Sequence, residues 1–186
     1  LSHSKKFVAV TNNGVSAHSI ILIDVKSERV VDSVIISKAW YGLAFSPDDQ
    51  FLYAAGGHDN KIVRYEIIQN KLKKKDEIIL GAIWPNRIAP SGITFDSKRQ
   101  KMYVVTRDNR SLYIIDAKTQ KIDKQFGLDG EAYMSVMSTD AKELYISCWG
   151  CDQVLVFDLN NYTWRESVKV GDNPNEMLLS SNGQHL

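Results

Sequence analysis

Cysteine, surplus charge of one sign and long apolar runs are all scarce in this chain, and each scarcity closes off a class of protein. Cys148 and Cys151 are the only cysteines in 186 residues, too few for a disulfide-stapled scaffold and half the ligands of a closed structural zinc site. Lysine and arginine total 23 against 22 aspartates and glutamates, so no broad field exists to gather nucleic acid or an anionic membrane surface. No apolar run approaches the roughly 20 residues that span a bilayer. Leu1 to Val10 lacks the basic, apolar and small-residue blocks of a signal peptide.

The punctuation of catalysis is missing as well. There is no Gly-x-Ser-x-Gly elbow, no His-Glu-x-x-His and no phosphate loop, and the histidines at positions 3, 18, 58 and 185 form no local acid–base pair. The expectation is a chain with no catalytic residue, no metal site and no cofactor. No segment keeps a helical period.

What the sequence does hold is a repeat. Phe45-Ser46-Pro47-Asp48-Asp49-Gln50-Phe51-Leu52-Tyr53 recurs as Phe95-Asp96-Ser97-Lys98-Arg99-Gln100-Lys101-Met102-Tyr103 and again as Met137-Ser138-Thr139-Asp140-Ala141-Lys142-Glu143-Leu144-Tyr145. Leu1-Ser2-His3-Ser4-Lys5-Lys6-Phe7 and Leu179-Ser180-Ser181-Asn182-Gly183-Gln184-His185-Leu186 stand in the same register. The starts at 1, 45, 95, 137 and 179 lie 44, 50, 42 and 42 residues apart, the period of a four-stranded propeller blade. The longest interval contains an insertion, Gly81 to Pro90, which reads as an extended loop.

Each unit divides into four short stretches rich in Val, Ile, Tyr and Leu, bounded by turn residues; in one unit these are Tyr41 to Phe45, Phe51 to Ala55, Lys61 to Glu66 and Lys75 to Leu80. The third stretches, Ser19 to Asp24, Ser111 to Asp116 and Gln153 to Asp158, are nearly continuously apolar and predict strands covered on both faces. The basic run Lys71 to Lys75 is expected in the turn between the third and fourth strands, as a solvated edge that discourages strand pairing.

The expected fold is therefore all-β: a β-propeller of four-stranded antiparallel blades, about four blades' worth of a larger ring. A partial blade is expected over 1–37, blades over 40–80, 90–129 and 132–170, and the first strand of a further blade over 175–186. A four-bladed ring, with Asn175 to Ser180 closing on Phe7 to Ile36, is the alternative.

The unit Phe-Ser-Pro-Asp-x-x-Phe-Leu-Tyr, a Gly/Asn-rich turn and a strand ending in Ile-Asp or Phe-Asp resembles the YVTN-type propeller repeat of YncE-like and surface-layer proteins. Thr11 to Gly14, Lys38 to Asp48 and Ser147 to Gly150 look most like the propeller half of two-part bacterial proteins that carry a C-terminal phosphoesterase domain of the alkaline phosphatase superfamily. The resemblance implies a ring of about seven blades, a periplasmic or cell-surface location, and a partner that is either such a phosphoesterase domain or another envelope protein. It implies a non-catalytic binding or scaffolding module. The competing function is a propeller lactonase like 6-phosphogluconolactonase-type enzymes, with His58 and Arg107 as the carried residues.

In a propeller the turns between strands two and three share a face with the connections leaving strand four. Aligning the units puts Gly57-His58-Asp59, Arg107-Asp108-Asn109 and Trp149-Gly150-Cys151 at equivalent turns, with Asn13-Gly14 and the longer stretch Val15 to His18 in the first unit. Such turns favour Gly, Asn and Asp, so His58, Arg107 and Trp149 exceed structural need. The candidate ligand-binding residues are His58, Asp59, Arg107, Trp149, Tyr41 and Tyr133, the tyrosines, with Trp40 and Trp84, offering an apolar wall. Each has an ordinary alternative as a loop residue or a wedge between blades. Cys148 and Cys151 flank a β-turn, which argues against a redox centre at a helix N-terminus and leaves free thiols or a small local disulfide.

Overall fold

A computed structural model describes residues 1–15 and 17–186; Ser16, within the stretch Val15 to His18, lies outside the described residues. The chain forms two compact units, Leu1–Pro90 and Ser91–Leu186. Among the described residues the elements are strands, apart from one 3-10 turn at Gly57–Asp59.

The first unit holds two antiparallel sheets. One has the order β1 (Phe7–Asn12), β2 (Ser19–Asp24), β3 (Arg29–Ile35); the other runs β4 (Leu43–Phe45), β5 (Phe51–Ala55), β6 (Lys61–Ile68), β7 (Lys71–Ile79). Ile20 and Leu22 of β2 pack with Phe45, Leu52, Val63 and Leu72 in one buried cluster. Polar ties fix the edges: the Leu72 amide donates to the Asp32 carboxylate at 2.7 Å, and the His3 and Ser4 amides to Asp49 at 2.8 and 2.7 Å.

The second unit repeats the plan. β8 (Pro90–Asp96), β9 (Lys101–Thr106), β10 (Ser111–Asp116) and β11 (Ile122–Gly127) form one sheet; β12 (Ala132–Met137), β13 (Glu143–Cys148) and β14 (Gln153–Asp158) form the next, with β15 (Thr163–Trp164) and β16 (Val168–Lys169) both on the outer side of β14. Its core joins Tyr103, Leu112 and Ile114 to Leu144, Ile146, Leu155 and Phe157.

The recurring phrase has a physical reason. The serine hydroxyl accepts a hydrogen bond from the amide five residues on, at 3.0 Å for Ser2 and Phe7, 2.9 Å for Ser46 and Phe51, 3.0 Å for Ser138 and Glu143, and 3.0 Å for Ser180 and His185. Its proton goes to the acceptor two residues along, Asp48, Asp140 or Asn182. The turn satisfies its own polar groups while one residue, Lys5, Asp49, Ala141 or Gly183, takes positive φ. In the remaining copy Asp96 replaces the serine, and its carboxylate takes the Arg99 amide instead, at 2.9 Å.

Three expectations are revised. Lys71 to Lys75 belong to β7, not to a turn, because the connection shrinks to Gln69 and Asn70, both at positive φ as a tight hairpin demands. Leu72 and Ile78 then point inward and carry the lysines into the ladder as its exposed positions. The third strands differ among themselves: β10 and β14 are buried along nearly their whole length, whereas β2 buries only Ile20 and Leu22. Residues 175–186 keep the recurring turn but form no strand; within the second unit they are held through Asn175, whose carbonyl accepts from Ser147 Oγ at 2.6 Å, and Met177, whose amide lies 3.4 Å from Met134 Sδ.

Candidate functional site

One backbone bond recurs at the end of every sheet. The residue leaving the fourth strand, or the third in the first sheet, donates its amide to the turn between strands two and three: Ile36 to His18 at 3.0 Å, Leu80 to Asn60 at 2.9 Å, Leu128 to Arg110 at 2.8 Å and Val170 to Asp152 at 3.0 Å. Asn60, Arg110 and Asp152 adopt positive φ to present that carbonyl. In each sheet, therefore, the turn and the outgoing connection share one end, as the repeat predicts.

In the first unit this end carries Trp40, Tyr41, His58 and Asp59. Gly57, at φ 49°, packs on the segment before β4, where a Cβ would meet the Lys38 carbonyl at 3.1 Å. The Trp40 and Tyr41 rings sit edge to face, 5.7 Å apart. Asp59 is turned toward the Ser37 hydroxyl and lies 3.8 Å from the Lys61 ammonium, so it anchors its own turn. His58 is exposed on the 3-10 turn. His18 braces the same region, its Nδ1 accepting the Ala39 amide at 2.9 Å.

Asn60 does what nothing in the sequence announced. It is 1% exposed, donates from Nδ2 to the Ala82 and Asn86 carbonyls at 2.9 and 3.0 Å, and accepts the Ile88 and Ala89 amides on Oδ1 at 3.0 and 3.3 Å. One side chain closes the insertion into a loop that leaves Trp84 79% exposed. Replacing Asn60 by Ala strips two buried amides and two carbonyls of partners, and should cost about 2–3 kcal/mol. Hydrogen exchange is expected to show protection lost first at Ile88 and Ala89; unchanged protection there would mean that water or neighbouring backbone replaces the clamp.

In the second unit the same end brings together Arg107, Tyr133 and Trp149 from three separate segments. The Tyr133 and Trp149 rings are 5.7 Å apart and tilted by 42°. Arg107 Nε donates to Asp108 at 2.6 Å, and the Asp108 carboxylate, followed by the Tyr133 hydroxyl, keeps the guanidinium firmly protonated against partial burial. Beneath it, Asn109 donates to the Tyr113 hydroxyl at 2.8 Å and its side-chain oxygen accepts the Thr106 hydroxyl at 2.5 Å; burial raises the Tyr113 hydroxyl above its ordinary pKa although the Asn109 bond opposes that. Trp149 is positioned by its amide, which donates to the Glu131 carbonyl at 2.7 Å. Cys148 and Cys151 are joined as a disulfide, which decides between the two states left open by the sequence.

Of the six candidates, Arg107, Tyr133 and Trp149 meet in one cluster, while Tyr41, His58 and Asp59 lie at the equivalent end of the first unit. None of the six lines the apolar cleft of about 470 Å³ in the second unit, which Tyr145, Val154, Val156, Val168, Met177 and Leu179 help to wall. Among the described residues no group of three or more His, Cys, Asp or Glu side chains is arranged to hold a metal, and no helix is long and apolar enough to cross a membrane.

Repeated antiparallel sheets, each closed by the same turn and each offering its loops at one end, define a β-propeller. The model of the YncE-like beta-propeller family matches residues 1–175, and the chain belongs to that family. Among solved structures it is similar to the hydrazine synthase of Kuenenia stuttgartiensis, with a TM-score of 0.82 and 20% identity over 99% of this chain and 52% of that one. It is also similar to a protein of unknown function from Desulfotomaculum acetoxidans, with a TM-score of 0.76 and 17% identity over 94% of this chain and 57% of the other. The chain thus spans about half the length of these structures, and at such identities the likeness concerns the fold. A comparison with curated proteins finds no match.

Proposed function

We propose that the chain is a non-catalytic binding or scaffolding module, and that the Arg107–Tyr133–Trp149 cluster is its contact patch. The observation that carries this reading is the convergence of an arginine, a tyrosine and a tryptophan from the β9–β10 turn, β12 and the β13–β14 turn, the residue types that dominate binding energy at protein interfaces. A repetitive fold needs neither the arginine nor the tryptophan at its turns, and the equivalent turn of the first unit uses Gly57, His58 and Asp59. The partner in this reading is a protein of the bacterial envelope, either a phosphoesterase domain on the same parent chain or a separate component. A periplasmic or cell-surface setting is supported by the Cys148–Cys151 disulfide, since such bonds persist in oxidising compartments.

The test is cross-linking of the chain to an envelope extract, identification of the captured protein, and titration of that purified protein against the wild type and the Arg107→Ala and Trp149→Ala variants. Each variant is expected to weaken binding by about tenfold or more, with unchanged thermal unfolding. Binding that is indifferent to both substitutions would remove the cluster from the interface. Lactone hydrolysis lost on replacing His58 or Arg107 by Ala would replace the module with an enzyme.

A further inference from the structure

The Cys148–Cys151 bridge closes a ring that the fold has already closed. Cys148 pairs with Gln153 across the β13–β14 ladder, and the Cys151 amide approaches the Cys148 carbonyl at 3.4 Å within the turn. A cross-link restrains the unfolded chain least when the loop it closes is short, so this one adds less stability than a bridge between distant segments would. Trp149 stands between the two cysteines, half-buried, with its ring on Tyr133 and its amide on the Glu131 carbonyl.

The surroundings leave the sulfur atoms no slack. Gly130 is buried against them, and a Cβ there would come within 2.7 Å of Cys148 Sγ and 3.3 Å of Cys151 Sγ. Cys148 is fully buried at the end of β13, whereas Cys151 is only partly buried at the edge of the core. Of the two, Cys151 and the turn have the freedom to move once the bond is broken, and the turn carries Trp149.

From this we infer that Cys148–Cys151 is a thiol–disulfide exchange site for a dithiol reductant, and that its state sets the position of Trp149. The thiolate of the dithiol bonds to Cys151 Sγ, the S–S bond breaks, and Cys148 Sγ leaves with the electron pair and takes a proton. The second thiol of the reductant then attacks the mixed disulfide, releasing Cys151 as a thiol and the reductant as a cyclic disulfide. Two electrons and two protons pass from the dithiol to the protein. The inference stands on the packing of the bridge and is independent of what binds the Arg107–Tyr133–Trp149 cluster.

The experiment exposes the native chain to millimolar dithiothreitol, counts thiols by alkylation after acid quench and intact mass, and follows amide exchange under the same conditions. The expected result is two alkylated cysteines with the fold intact and exchange of the Trp149 amide accelerated by about tenfold or more while β9 and β10 keep their protection. A Cys148→Ser/Cys151→Ser double variant should reproduce the exchange pattern without reductant; because reduction of the wild type is read directly, misfolding of that variant does not decide the outcome. A bridge that resists dithiothreitol until the whole unit unfolds would overturn the inference, as would reduction that unfolds the unit or leaves the Trp149 amide unchanged.

Discussion

Replacing Asp96 by alanine is expected to destabilise the second unit by about 3–5 kcal/mol, the cost of removing one partner from a buried charged pair. Asp96 is 1% exposed. Its carboxylate accepts the Arg99 amide at 2.9 Å, the Arg99 guanidinium at 2.8 Å and the Tyr103 hydroxyl at 3.1 Å. The same guanidinium reaches the Ala141 carbonyl at 2.6 Å and Asn160 Oδ1 at 2.5 Å, so one carboxylate fixes the arginine that links β8 to the turn and hairpin of the following sheet. Alanine would strip the half-buried guanidinium of its counter-charge, leaving it only the Ala141 carbonyl and Asn160, and would take from the buried Tyr103 phenol the carboxylate it donates to. Asparagine keeps the shape and one acceptor, and should cost less, about 1–2 kcal/mol. Urea titration read by tryptophan fluorescence measures both.

The pH dependence has a defined direction. Burial pushes the Asp96 carboxyl up, but the Arg99 amide, the Arg99 guanidinium and the Tyr103 hydroxyl outweigh it and hold the folded-state pKa below the ordinary value of 3.8. A group depressed on folding contributes stability above its unfolded pKa and loses it as pH falls through the folded one. The stability difference between wild type and Asp96→Asn should therefore be constant at neutral pH and shrink below about pH 4, where the wild-type carboxyl takes up its proton. A difference that persists unchanged at low pH would mean that the asparagine is penalised by packing, not by charge.

How far this fold could be read beforehand depends on the range of the contact involved. The Ser-x-Asp turn is written in six consecutive residues, every bond that closes it lies inside that window, and its recurrence sets the blade period. The burial of β10 followed from its own composition. Lys71 to Lys75 read as a turn because the local cue, a charge run, competes with a hairpin whose turn is only Gln69 and Asn70. The role of Asn60 is not legible locally, because its four partners lie 22 to 29 residues away in the insertion. A turn asparagine and a buried clamp are spelled alike. For the candidate site, alignment of the turns points to Arg107 and Trp149 and residue type to Tyr133, but their meeting in one cluster depends on the stacking of two sheets, whereas the bond between the cysteines is local to one turn and is one of the two states the spacing allows.

Gly92 shows how closely that stacking is tied to the cluster, and Gly92→Ala should be among the most damaging single-methyl changes in the chain. A Cβ at Gly92 would lie 2.9 Å from Met134 Cα, 3.0 Å from the Ser135 nitrogen and 3.0 Å from the Tyr133 oxygen. All three are backbone atoms of β12, so no side chain can swing aside, and relief requires β8 and β12 to part. Parting them strains the Ser91 bond to the Ala132 carbonyl, 2.7 Å, and the Thr94 bond to the Ser135 carbonyl, 2.8 Å. A loss of about 3 kcal/mol is expected, at the upper end for overpacking. Gly127 supplies the control: a Cβ there would meet nothing within 4 Å, and Gly127→Ala should change stability by no more than about 0.5 kcal/mol. Because Tyr133 is one of the residues displaced, Gly92→Ala should also weaken binding at the Arg107–Tyr133–Trp149 cluster at temperatures where the variant remains folded. If it destabilises the unit yet leaves binding intact, the position of Tyr133 is set by Trp149 and Arg107 and not by the approach of the two strands.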